Sequence, residues 1–369
     1  MWLCGSNFRV RGVFWQPNPC HTWAHAVEFP IRFVRLPNTI IMELSVKPKT
    51  AQSLFVVLVS LFAMGAQADS LTGTLKKVAD SGVIVIGNRQ ASVPFSYLDA
   101  SMQPRGFAID LCNRIATSVK AKIHRSDIVV QYASVTPENR IPLLLSGAVD
   151  IECGSTTNNS ERAKQVAFGI NHYYTGTRVL VKKSSNIKSY ADLKNKKIAI
   201  SADTTNLGAI KDYLLVNNID ASITLTRDHA EGVMLVESGR ATAFATGDIM
   251  LAGLLANTKN PGEWEVVGVP LQEEPFAVML RKNDPEFKKV VDETLVQTMK
   301  SGEFEKLYNK WFLSPIPPKG FNLDTSVSEE SDTSSGSFGR KSWKRIELNV
   351  PMSAEMKALI KNPTDKPAL

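Results

Sequence analysis

From residue 83 onward, short apolar strands alternate with stretches whose apolar residues recur at helical spacing, which restricts the chain to an α/β architecture on parallel sheets. Val83-Ile84-Val85-Ile86-Gly87 reads as a strand closed by a glycine turn. Residues 106–119 lead into a helix, with Leu111, Ile115 and Val119 four apart on one face. Strands are expected at 128–132 and 149–152, separated by a helix at 140–146 that Gly147 stops. A second block opens after Thr175-Gly176-Thr177. Its strands fall at 179–182, 197–201, 223–225 and 243–246, and its helices begin after Thr204-Thr205 and span 230–238. Residues 271–280 read as a returning strand, with closing helices at 286–300 and 303–311.

The 369 residues, 43% of them apolar, suffice to bury one large two-lobed unit or two domains. Six Lys/Arg against Glu28 and Glu43 put +4 of the net charge of +7 into residues 1–68, leaving +3 for the rest. The basic residues form no stripe interleaved with aromatics, so no nucleic-acid partner is expected. The apolar run 54–64 follows Lys47 and Lys49 and precedes Ala66-Gln67-Ala68, a small-x-small pattern that signal peptidase accepts. Cleavage after Ala68 is expected, and with it a soluble product exported to the periplasm. The run is too short to span a bilayer, which takes about 20 residues. Residues 1–41 show no period, so Met42 reads as the start and the prefix as an over-extended reading frame.

Removing residues 1–68 leaves Cys112 and Cys153 in an oxidising compartment, where a disulfide can form; the sequence leaves open whether they meet. No C-x-x-C pair, H-E-x-x-H helix or His/Cys cluster is present, so neither a metal nor a cofactor is expected. Residues 321–347 are rich in Ser and Glu, then basic at Arg340, Lys341, Lys344 and Arg345, and are expected to be a disordered insertion. Within the C-terminal stretch 348–369, residues 353–361 regain helical character.

Cys153-Gly154-Ser155-Thr156-Thr157-Asn158-Asn159-Ser160-Glu161-Arg162 gathers hydroxyls and amides before an arginine, chemistry that suits a small carboxylate. Arg89, Arg140 and His229 stand in contexts that can aim them at the same anion. Each also has a plainer reading: Arg162 paired with Glu161, Arg140 solvated in a first helical turn, Arg89 in a turn after Asn88, and His229 as a structural histidine. No nucleophile stands with a base, so the chain is expected to hold a ligand without transforming it.

Seven segments in order carry a family likeness: 83–89 with Ser92-Val93-Pro94-Phe95-Ser96-Tyr97; 106–119; Asn139-Arg140-Ile141-Pro142-Leu143-Leu144; 152–162; Asp228-His229; Glu237-Ser238-Gly239-Arg240; and Trp311-Phe312 with Pro315-Ile316-Pro317-Pro318-Lys319. Through them the chain from about 70 to 324, together with 348–366, resembles the periplasmic amino-acid-binding proteins of ABC transporters (family 3 solute-binding proteins), most closely the glutamate/aspartate-binding branch. The resemblance implies a two-lobed periplasmic-binding-protein fold (type II), each lobe a mostly parallel sheet flanked by helices. Two hinge segments, near 175–178 and 271–275, would join lobe one (69–176 with 272–320) to lobe two (177–271), and closure would trap the ligand. It also implies a function, as a monomer that captures glutamate or aspartate and delivers it to an inner-membrane ABC permease complex.

Residue by residue, the resemblance gives the ligand's α-carboxylate to Arg162, Thr157 and the helix start at Thr205, and its side-chain carboxylate to Arg89, Arg140, Ser155 and His229. Phe95 and Tyr97 would wall the aliphatic stem. The chain departs from the branch at three positions: Pro137 replaces a serine, Asp203 a glycine, and Gly247-Asp248 an Asp-Asp pair that supplies the acid for the ligand's ammonium. Asp248 is expected to take that role, with Asp203 from the neighbouring loop as the alternative acid. Alternatives are a non-amino dicarboxylate as ligand, or a dehydratase-like enzyme on the same fold with His229 or Asp203 as its acid or base.

Overall fold

The computed structural model describes residues 71–317, 320, 321 and 323, together with the strands β1 (Arg32–Leu36) and β2 (Thr39–Glu43). These two strands pair antiparallel, with Arg32 opposite Glu43, in a stretch where the sequence shows no period. The expected signal segment, the cleavage site, nearly all of the 321–347 insertion and the helix at 353–361 lie outside the described residues.

Two mixed sheets follow. The first runs β7 (Val129–Ser134), β3 (Val83–Asn88), β8 (Ile151–Glu152), β16 (Met279–Arg281) and β9 (Val166–Phe168). Here β3 is parallel to β7 and β8, while β16 is antiparallel to β8 and β9. Ile84 and Ile86 point into a core with Leu111, Ile115 and Phe287, whereas Val85 packs on the opposite cluster with Leu144, Val149 and Met279. Both faces are covered, which is why β3 reads as a continuous apolar run and not as an alternation. The short strands β4 (Ala91–Ser92), β5 (Ser96–Leu98) and β6 (Pro104–Arg105) form a small antiparallel sheet.

The second sheet runs β12 (Ser222–Thr226), β11 (Lys197–Ser201), β13 (Ala243–Gly247), β10 (Tyr173–Lys182) and β14 (Trp264–Val267). Val179, Val181, Ile198 and Ile200 face one core; Leu180, Ala199 and Phe244 face the other. β10 is longer than the sequence implies because its first half leaves this sheet: Tyr173 to Gly176 pair with β15 (Glu273–Phe276), and Thr177 onward with β13. The expected returning strand at 271–280 is split into β15 and β16, since the Ala277 N–H turns away to bond the Thr156 carbonyl at 3.1 Å.

The helices are α1 (Gly73–Ser81), α2 (Phe107–Lys122), α3 (Arg140–Leu145), α4 (Thr205–Val216), α5 (His229–Glu237), α6 (Asp248–Asn257), α7 (Pro285–Lys300) and α8 (Glu303–Phe312). Trp311 of α8 is buried against Tyr97, and its Nε1 donates to Asp110 at 2.7 Å. Cys112 of α2 and Cys153 form a disulfide, which closes the question the sequence leaves open. The bond ties α2 to the loop that carries Ser155, Thr156 and Thr157.

Candidate functional site

The strand ends place the site. Arg89 follows β3, Ser155 and Thr157 follow β8, Thr204 to Asn206 follow β11, and His229 follows β12. All leave the carboxyl ends of parallel strands, where α/β sheets expose loops and helix N-termini to a common crevice. Arg89, Arg140, Ser155, Thr157, Arg162, Thr204, Thr205, Asn206, His229 and Met250 line one space of about 210 Å³, partly open to solvent. Seven of the eight residues expected from the sequence are therefore brought together. Asp248 is not: its carboxylate accepts from Thr175 Oγ1 at 2.6 Å and from the Ile249 N–H at 2.7 Å. It opens α6, and burial, partly offset by these two donors, pushes its carboxyl up. Thr204, Asn206 and Met250 join the lining unforeseen.

At one end stands Arg162. Its Nη1 donates to the Thr157 carbonyl at 2.9 Å and its Nη2 to the Asp203 carbonyl at 3.2 Å, the second bond reaching the turn before α4. Thr157 Oγ1 lies 3.1 Å from Thr205 Oγ1 at the start of α4, so two hydroxyls, a guanidinium and a helix N-terminus converge. Asp203 does not crowd them. It is exposed and takes a left-handed φ of 51°, a conformation that glycine adopts freely and Asp tolerates.

At the other end Arg89 and Arg140 are both buried, 1% and 2% exposed. Arg89 Nη2 pairs with Asp228, the residue that caps α5, across 139 positions of sequence. Burial pushes Asp228 up, but Arg89 and the His229 N–H more than offset it and hold the carboxyl below its ordinary range. Arg140 Nη1 donates to Thr156 Oγ1 at 2.7 Å, which donates on to Glu152 at 2.6 Å. Burial, and next the Arg162 guanidinium, still push Arg140 down to about 9, so an anion beside it would favour its charged form further.

Three buried nitrogens of residues at this end, Arg89 Nε, Arg140 Nε and His229 Nε2, have no hydrogen-bond partner among the described residues. Burial, and then Arg89, push His229 down to about 3, so its ring is neutral at physiological pH. Ser201 Oγ sits 3.0 Å from His229 Nδ1; when that hydroxyl donates, the ring proton lies on Nε2 and all three nitrogens are donors. Ser201 is buried and does not line the space, so it orients the ring and presents no nucleophile.

Phe95 and Tyr97 do not wall the space. Phe95 is fully buried among Phe107, Tyr173, Phe276 and Phe312, and Tyr97 bonds the Pro317 carbonyl at 2.7 Å. Met250 of α6 supplies the apolar contact. Gly247 leaves room for the Thr175–Asp248 bond, since a Cβ there would lie 2.8 Å from Thr175 Oγ1.

The chain is similar to the L-glutamate/L-aspartate-binding protein of Pseudomonas aeruginosa, at 42% identity over 313 residues, 85% of this chain and 95% of that one. The glutamate/aspartate import solute-binding protein of Escherichia coli is 41% identical over 324 residues, 87% of this chain and 98% of the other. Among solved structures, an ancestral amino acid-binding protein described as a precursor of cyclohexadienyl dehydratase matches with a TM-score of 0.56 at 32% identity, covering 65% of this chain and 99% of that chain. An ancestral arginine-binding protein bound to glutamine matches with a TM-score of 0.57 at 27% identity, over 63% and 98%. Residues 84–314 match the model for bacterial extracellular solute-binding proteins, family 3, and with this two-lobed fold and cleft the chain belongs to that family.

Proposed function

We propose that the protein captures an acidic amino acid, glutamate or aspartate, in the cleft and presents it to an ABC permease. The observation that carries this is the set of three buried, unpartnered nitrogens on Arg89, Arg140 and His229, residues that line the space together with Arg162. Unpaired buried donors are costly, and a second carboxylate would satisfy them together. Arg162, the Thr157 backbone N–H and the helix start at Thr205 would hold the α-carboxylate; Arg140, His229 and Ser155, with Arg89 contributing Nε only, would hold the side chain. The two relatives described above are named for binding or import, and the chain acts as a binding protein and not as an enzyme.

Hinge closure between a lobe of 69–176 with 272–320 and a lobe of 177–271 would bring the two ends onto the ligand. Export with cleavage after Ala68 and action as a monomer complete the proposal, and N-terminal sequencing of periplasmic protein should begin at Asp69. A thermal-shift screen of acidic, basic and neutral amino acids and dicarboxylates tests the ligand. At 100 times its dissociation constant the true ligand adds about 2.7 kcal/mol of stability. A transition moved only by basic or neutral amino acids would overturn the assignment.

A further inference from the structure

Glu274 lies on β15, in the ribbon that joins the two sheets, and is 1% exposed. Its Oε2 accepts from Thr157 Oγ1 at 3.2 Å; its Oε1 accepts from Gln272 Nε2 at 2.6 Å and Thr177 Oγ1 at 3.3 Å. Every one of these donors is neutral, and no ion pair to Glu274 is found among the described residues. Beyond the Arg162 guanidinium, whose charged form Glu274 favours, a buried carboxylate held only by neutral donors would be stabilised by a further cation nearby. Thr157 connects it to the ligand space: with its proton given to Glu274, that hydroxyl offers only lone pairs toward the crevice it lines.

Of the other acids near the space, Asp228 pairs with Arg89, Glu152 accepts from Thr156 and favours the charged form of Arg140, Asp203 is exposed, and Asp248 is held by Thr175 and its own helix. We propose that Glu274 selects for the ligand's α-ammonium, acting through the Thr157 hydroxyl as a positioning residue, an assignment that rests on the acidic amino acid proposed above. In this assignment the acid comes from β15, the crossing strand, and not from Asp248. The same carboxylate lies close enough to Arg162 to favour its charged form, so ammonium and α-carboxylate would be met by adjoining groups of opposite sign.

Calorimetric titration of L-glutamate against glutarate tests this, on wild type, Glu274→Gln and Asp248→Asn. A unit charge about 6 Å away at an effective dielectric constant of about 20 corresponds to roughly a hundredfold in affinity. Wild type should prefer glutamate by that order, Glu274→Gln should lose the preference while keeping its glutarate affinity, and Asp248→Asn should retain it. Thr157→Val, which breaks the relay, should also lose the preference, and it serves if Glu274→Gln does not fold. A preference that survives Glu274→Gln, or equal loss of both ligands in that variant, refutes the assignment, as does a preference abolished by Asp248→Asn. Wild type binding glutarate as well as glutamate refutes it too, but leaves the acidic-ligand proposal standing; wild type binding neither refutes both.

Discussion

His172 is 1% exposed, packed 5.8 Å from Phe107 and 6.4 Å from Phe95 between ring centroids, and neither ring nitrogen has a partner among the described residues. Burial alone pushes it from 6.5 down to about 3. Between those two values the unfolded chain binds a proton that the folded chain does not, so stability is lost as pH falls below 6.5. From pH 6.5 to pH 5 this one residue should cost about 1.5 kcal/mol. His229, also pushed down to about 3, should cost a similar amount. Replacing the ring by His172→Phe keeps its stacking neighbours and removes one of the two protons. Urea unfolding of ligand-free protein at pH 7.5, 6.5, 5.8 and 5 should give a shallower loss in the variant, about 2 kcal/mol less over that range. At pH 7.5 the variant should be more stable by about 1 kcal/mol, because two unpaired polar atoms leave the core. Acidic groups shared by both proteins cancel in the comparison. Parallel stability curves for the two proteins would refute the account of His172 as a neutral, unpaired core residue.

Arg162→Ala should weaken every carboxylate ligand, whereas Arg140→Ala should weaken dicarboxylates selectively; each loss should be roughly 3–5 kcal/mol, and equal losses across both ligand classes by calorimetry would contradict the division of roles. Gly253→Ala places a Cβ 2.8 Å from the Val93 carbonyl oxygen and should cost about 1–3 kcal/mol of binding, for glutamate and glutarate alike, by opposing approach of α6 to the Val93 turn. Unchanged affinity would show that this contact is not formed on closure. Cys112→Ala with Cys153→Ala opens a loop of 41 residues and should lower unfolding free energy by about 4 kcal/mol in the chain-entropy account, read by urea unfolding in the absence of reductant.

The sheets were legible because their strands are short apolar runs set off by glycine and polar turns, and the cleft because its cations sit where those strands end. What escaped has physical reasons. α6 is buried on every side from Met250 to Ala256, so its apolar residues leave no period to detect. Asp248, just past the strand expected at 243–246, consequently opens a helix that the sequence does not signal. Glu274 stands beside Glu273 in a short strand, and only the pleat decides that Glu273 is exposed and Glu274 buried. The Arg89–Asp228 pair joins residues from different sheets, and no local spacing encodes it.

Four cross-strand pairs, from Tyr173 opposite Phe276 to Gly176 opposite Glu273, couple the two crossing segments, so neither can slide past the other without breaking the ladder. A two-stranded ribbon flexes out of its plane more readily than it shears, which leaves one soft rotation between the sheets it connects. Groups carried on the ribbon lie near that axis and travel least. Glu274 and Thr175 are such groups, while Arg140 on α3 and His229 on α5 stand outside the ribbon and, under the hinge closure proposed above, would sweep the longer arcs. A ligand entering the cleft would then meet one stationary pole and two moving ones.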